Sequence, residues 1–217
     1  MSKVVNLDTI KNLLKDDMTI MFGGFLGCGT PETLVDVIIE SRIQNLTIIG
    51  NDTGFIDKGI GRLVVNNQVK KVIASHIGTN PETGRLMNEG TIEVELSPQG
   101  TLIERVRAGG YGLGGVLTPT GVGTLVEENK QKLTIDGNDY LLEMPLRADL
   151  AIVKGNLVDE YGNTIYKGTT KNFNPMIAMA CDVVVVEAEM LVDGGTLNKD
   201  MIMTPGVLVD YIVRGEK

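Results

Sequence analysis

Tryptophan is absent from the 217 residues, aromatic side chains make up 4%, and His76 is the sole histidine. The shortage of rings argues against a stacking platform for nucleic-acid bases. Cys28 and Cys181 are the only cysteines. With no Cys/His cluster, a zinc site is not expected, and a structural disulfide is not expected in a reducing compartment. Nothing in the sequence pairs Cys28 with a base, so it is a weak candidate nucleophile. Positive charge is also short: 20 Lys and Arg face 28 Asp and Glu, for a net charge of −8. A nucleic-acid partner needs a basic face and is not expected. A small anionic ligand stays open, because local charge and backbone dipoles decide that. No run approaches the ~20 apolar residues of a membrane span. The opening Met-Ser-Lys-Val-Val-Asn-Leu-Asp has no apolar signal core, so a cytoplasmic location is expected. Without a linker, repeat or low-complexity segment, residues 1–217 read as one domain.

Glycine is what the chain has in plenty, with 27 residues. Residues 18–22 are a short apolar run, long enough for one buried strand. Gly23, Gly24, Gly27 and Gly29 then crowd into seven residues. Thr30 reads as an N-cap and Pro31 as the first helical residue. Leu34, Val35, Val37, Ile38 and Ile39 supply the apolar helix face. Such a loop lets a ligand touch bare backbone, and the helix start behind it offers N–H groups and partial positive charge to an anion. A tight turn with no ligand is the alternative. No Gly-Lys-Ser/Thr follows, so this is no P-loop. Glu32 stands where a dinucleotide fingerprint needs its third glycine.

The rest keeps a strand–loop–helix rhythm. An opening helix is expected over 8–15, with Asp8 as cap. Strands are expected at 46–49, 72–75, 92–96, 150–153 and 183–186, with a short helix at 82–89. This order predicts an open, mostly parallel α/β sheet flanked by helices. Ligands then collect beyond the carboxyl ends of the strands. Asn51-Asp52-Thr53 falls on that rim, as part of a site or as a cap and turn. His76 is more simply a structural histidine than a catalyst. Ser97 reads as a cap and Pro98 as the first helical residue. Gln99 therefore lies in a first turn, where its amide donates to an oxyanion or simply meets solvent. Arg105 and Arg107 meet phosphates or, more simply, pair with Glu104 and solvent. Residues 109–124 look too rich in glycine for a regular element. Residues 132–135 and 140–143 around Asp136-Gly137-Asn138 read as a β-hairpin excursion. Asn174 is expected to cap a helix through Met179. Glu187 and Glu189 follow a strand, where rim carboxylates sit.

Gly23-Gly24-Phe25, followed by Gly29-Thr30-Pro31, resembles the signature of family I coenzyme A transferases, α-subunit type. The segments Pro98-Gln99-Gly100-Thr101-Leu102, Asn51-Asp52-Thr53 and Thr118-Pro119-Thr120-Gly121 match the same pattern, and the resemblance runs through nearly the whole chain. One departure is Asp16-Asp17, where the family usually has Asp-Gly. The resemblance implies the open α/β fold shared with sugar-phosphate isomerases. It implies coenzyme A binding by Gly24, Phe25, Leu26, Gly27, Cys28, Gly29 and Thr30, and an oxyanion role for Gln99. It implies transfer of coenzyme A from acetyl-, butyryl- or acetoacetyl-CoA to a free carboxylate. The thioester is a substrate, and no permanently bound cofactor or metal is implied. The family's nucleophilic glutamate lies in a Ser-Glu-Asn-Gly motif on the β subunit. Glu128-Asn129-Lys130 and Asn88-Glu89-Gly90 do not match it. The expected assembly is therefore an α2β2 heterotetramer with a split site. A sugar-phosphate isomerase and a non-catalytic coenzyme A-binding regulator are the alternatives.

Overall fold

The computed structural model describes residues 2–215. Its strands are β1 (Thr19–Phe22), β2 (Leu46–Ile49), β3 (Val69–Ala74), β4 (Glu93–Leu96), β5 (Val116–Thr118), β6 (Lys132–Ile135), β7 (Asn138–Glu143), β8 (Ala148–Asp159), β9 (Thr164–Ile165), β10 (Cys181–Val192) and β11 (Tyr211–Arg214). The α-helices are α1 (Leu7–Lys11), α2 (Glu32–Ser41), α3 (Gly61–Val65), α4 (Pro81–Asn88), α5 (Gln99–Gly110) and α6 (Asn174–Ile177). The main sheet runs β11-β10-β8-β1-β2-β3-β4, and β9 adds to β8. All neighbours on that path are parallel, and β9 is antiparallel. The expected parallel α/β architecture is present.

Alternation along each strand builds two apolar layers. Ile20 and Phe22 of β1, Ile48 of β2, and Leu150 and Ile152 of β8 enter one cluster with Leu34 and Ile38 of α2, Leu63 of α3 and Leu86 of α4. Met21, Ile49, Ala151 and Val153 enter the other, with Leu102 and Val106 of α5 and Ile177 of α6. Helices on both faces let a parallel sheet bury both sides. Full burial of each large apolar side chain contributes about 1.5–3 kcal/mol. From central β1 the chain winds outward to β4, then returns on the other side as β8, β10 and β11. The strand order reverses between β1 and β8, which opens a crevice beyond their carboxyl ends.

Several expectations need correction. Helix α1 is shorter than 8–15, and its cap is Asn6, whose Oδ1 accepts the Thr9 N–H at 2.9 Å; Asp8 lies inside the helix. Strands β8 and β10 each run twelve residues, well beyond 150–153 and 183–186. Their pairing continues past the apolar core, and Lys154 and Glu187 sit side by side in register. Residues 109–124 are more ordered than their glycines imply. Helix α5 continues through Gly109 and Gly110, where the lack of a side chain allows contact: a Cβ on Gly109 would lie 1.9 Å from the Leu146 carbonyl oxygen. Strand β5 then pairs with β7 in a three-stranded antiparallel sheet, β5-β7-β6. The β6–β7 hairpin stands where expected, with Asp136 at φ 50° and Gly137 at φ 76°, the backbone of a type I′ turn. No helix among the described residues is long and apolar enough to cross a membrane.

Candidate functional site

The glycine loop folds back on itself at the carboxyl end of β1. Phe25 N–H donates to the Cys28 carbonyl and Cys28 N–H to the Phe25 carbonyl, at 2.9 and 2.8 Å. Leu26 at φ 48° and Gly27 at φ 77° make the two central positions of a type I′ turn. The Gly23 N–H donates to the Ile152 carbonyl, Gly24 N–H to Asn172 Oδ1, and Leu26 N–H to Asp52 Oδ2 at 2.9 Å. Five loop amides are thus already engaged, so the loop is not an open cradle of donors. Gly27 serves a different need. A Cβ there would lie 2.8 Å from Cε of Lys58, whose exposed side chain runs along the loop.

The helix start behind the loop also differs from expectation. Pro31 is the N-cap of α2, and no side chain caps it. Thr30 is buried against Gly24, with no room there for a Cβ. The anion at this helix start belongs to the chain: Glu187 Oε2 accepts the Leu34 N–H at 3.0 Å. Glu187 is 1% exposed, and its other oxygen takes the Lys154 ammonium at 2.7 Å. It is therefore a buried, paired capping group rather than a rim carboxylate. Glu189 is exposed and accepts from Asn156 Nδ2 at 2.6 Å.

Gln99 opens α5, with Pro98 as the N-cap in place of Ser97. Ser97 Oγ is buried without a partner among the described residues. The Gln99 amide donates from Nε2 to Asn51 Oδ1 at 2.9 Å, and Ser75 Oγ donates to the same oxygen at 3.1 Å. Asn51 is 2% exposed, so this acceptor is fixed. Gln99 and Asn51 line a cavity of about 380 Å³ with Phe25, Ile103, Thr169, Asn172 and Phe173. Asn51 also lines a second space of about 10 Å³, room for a single water, with Gly24, Gly27, Thr30 and Asp52. Of the expected loop residues, only Phe25 joins Gln99 in the larger cavity. Leu26 is exposed, Gly29 lies beneath Thr170, and Cys28 is exposed with Sγ 2.7 Å from Thr169 Oγ1.

Segment 168–174 was not expected at the site, yet it supplies one wall. Two asparagines fasten it to the loop. Asn172 accepts from Gly24 N–H and donates to the Cys28 and Thr169 carbonyls. Asn174 is fully buried. Its Oδ1 accepts the Lys154 N–H, and its Nδ2 donates to the Gly29 and Thr170 carbonyls at 3.0 and 2.8 Å. Its side chain therefore does not cap α6, whose N-cap is Phe173. The sequence signal was Asn-Phe-Asn ahead of a proline, which reads equally well as an ordinary turn.

The remaining candidates lie elsewhere. Asp52 spans two neighbouring turns, accepting Leu26 N–H and Gly54 N–H, so the Asn51-Asp52-Thr53 loop stands on the glycine-loop rim. His76 is exposed and lines neither space. Arg105 is buried on Glu95 at 2.6 Å, and Arg107 bonds Glu104 and stacks over Tyr111. Burial pushes the Cys181 thiol up, so it is poorly nucleophilic. Among the described residues, no group of three or more His, Cys, Asp or Glu is placed to hold a metal ion.

Known proteins place the chain in a family. The family model described as coenzyme A transferase matches residues 7–215. The acetoacetyl-CoA:acetate/butyrate CoA transferase alpha subunit of Clostridium acetobutylicum is 60% identical over 213 residues, covering 98% of both chains. The acetate CoA-transferase subunit alpha of Escherichia coli K12 is 56% identical over 212 residues, covering 98% of this chain and 96% of its own. Among solved structures, the acyl-CoA transferase of Escherichia coli O157:H7, in a thioester complex with CoA, superposes with a TM-score of 0.86 at 23% identity. The match covers 98% of this chain and 49% of that one, so this chain spans about half its length. Glutaconate coenzyme A-transferase from Acidaminococcus fermentans gives a TM-score of 0.85 at 20% identity, over 98% and 75% of the two chains. The structural likenesses show a shared fold. The sequence match carries more, because the family model spans residues 7–215 and the identity reaches 60% over 98% of the chain: the chain belongs to the coenzyme A transferase family.

Proposed function

We propose that this chain is the α subunit of a two-subunit transferase moving coenzyme A between a short acyl-CoA and a free carboxylate such as acetate, butyrate or acetoacetate. The carrying observation is the Gln99 amide at the 380 Å³ cavity. One of its two N–H donors holds Asn51, and the other is left for the carbonyl oxygen of a bound thioester. A donor fixed where negative charge develops stabilises the tetrahedral transition state. The residues lining the cavity include no carboxylate. That supports a nucleophilic glutamate arriving from a β subunit. In this reading the glutamate attacks the thioester carbonyl and expels the coenzyme A thiolate. The thiolate then attacks the glutamyl carbonyl of the resulting anhydride, releasing the carboxylate and leaving a glutamyl thioester. The second carboxylic acid reverses these steps, in a ping-pong cycle.

The glycine loop, from Gly24 to Thr30, takes coenzyme A, and Lys58 beside Gly27 supplies a cation for its phosphates. The enzyme is cytoplasmic and α2β2, and the three-stranded sheet belongs to the same domain as the main sheet. Buried Arg105 supports that last point, since it joins Glu95 of β4 to the Met144 carbonyl beyond β7. The test is coenzyme A transfer from butyryl-CoA to acetate, by the chain alone and co-purified with a β subunit. Silence alone and turnover together are expected. Gln99→Ala in the complex should then lower kcat about 10²-fold or more. An unchanged kcat would remove the oxyanion role, and turnover by the chain alone would remove the split site.

A further inference from the structure

We infer that Ile103 is the residue that gauges acyl chain length, and that its cavity selects short monocarboxylic acyl groups over dicarboxylic ones. This rests on the transferase reading. Gln99 and Ile103 are i and i+4 on α5, so their side chains stack on one face about 6 Å apart along the axis. Both line the 380 Å³ cavity. An acyl carbonyl held at the Gln99 amide therefore sends its chain along the helix toward Ile103. The flanking walls are two rings with fixed backbones. Phe25 sits on the internally bonded turn, and Phe173 is 5% exposed, with its N–H on Asn172 Oδ1. Ile103 packs against the second core layer, and its branched Cβ holds it stiffly. It forms the wall one helical turn beyond Gln99.

The same walls act on charge. No Lys or Arg lines this cavity. The polar side chains Asn172 and Thr169 are already engaged with each other's segment and with Cys28. A second carboxylate on the acyl chain would lose its hydration against Phe25, Ile103 and Phe173, and this chain's lining of the cavity offers it no cation.

The test uses the complex with its β subunit, acetyl-CoA as donor, and propionate, butyrate, hexanoate and succinate as acceptors. Ile103→Ala should raise the hexanoate-to-propionate ratio of kcat/KM at least about tenfold, the scale of a methylene or two in an apolar pocket. Ile103→Phe should lower the butyrate-to-propionate ratio by a similar factor, and Ile103→Val should fall between parent and Ala. Succinate should stay at least about tenfold below butyrate throughout. Opposite shifts from larger and smaller side chains cannot come from general loosening of the fold. Ratios within about twofold of the parent, in variants that still turn over propionate, would overturn the gauge. Succinate used as well as butyrate would overturn the charge selection. A parent complex with no transfer to any acceptor would instead overturn the transferase reading itself.

Discussion

At the scale of single residues, Asn174 ties the wall of the cavity to the glycine loop. Its carboxamide answers one N–H and two carbonyls on three segments, and it occupies the space a Gly23 side chain would need: a Cβ there would lie 1.6 Å from Asn174 Oδ1. Asn174→Ala leaves these backbone groups buried and unanswered, so a loss of about 3 kcal/mol in urea unfolding is expected. Gly23→Ala alone should destabilise more, through the clash. The double variant should be less destabilised than the sum of the two, because removing the amide makes room for the methyl. Strict additivity would show that the two positions are not in contact. Asp17 makes a different point. It holds φ 64°, a conformation that glycine takes more easily, in the Asp16-Asp17 pair that departs from the family's usual Asp-Gly. The expected caps Thr30 and Ser97 fail for a shared reason: each proline directly precedes the first helical residue and is itself the N-cap.

At the scale of elements, β4 and α5 are joined by Glu95 and Arg105, and this pair fixes the helix that carries Gln99 and Ile103. Burial pushes the Glu95 carboxyl up, but the Arg105 hydrogen bond and charge, with Lys71 and Lys130 nearby, outweigh it and hold the group below the usual glutamate range. A folded carboxyl with a lowered pKa contributes stability that is complete above its unfolded value and lost as pH falls through the folded one. Unfolding free energy should therefore drop as pH falls below about 4.3, with a smaller drop in Glu95→Gln. At pH 7 that variant should cost about 1 kcal/mol, since Glu95 is partly exposed and solvent screens the pair. Equal pH slopes for parent and variant, measured by urea unfolding, would remove Glu95 from the acid response. The pairing could not be read from the sequence, where Arg105 has Glu104 beside it. In the helix Glu104 takes Arg107, three residues on, and Arg105 turns inward.

At the scale of the whole molecule, the proposed split site implies that assembly and activity appear together. Light scattering on the co-purified complex should give the mass of two copies of each subunit, and dissociation by dilution should abolish transfer. Activity that survives dissociation would sink that link. The sequence by itself determined the family, the parallel α/β class and the hairpin turn, and it pointed to the glycine loop and Gln99, the two stretches the proposed function uses. These are local: apolar alternation, turn chemistry and short motifs depend on neighbours a few residues away. Only the tertiary structure decided which of them meet. Chain winding placed segment 168–174 against residues 24–29, and put Glu187 at the start of α2, where an outside anion was expected. It set Phe25 beside Gln99 and left the rest of the glycine loop facing elsewhere. Each of these contacts spans many tens of residues or more, a distance over which spacing along the chain carries no information about approach in space.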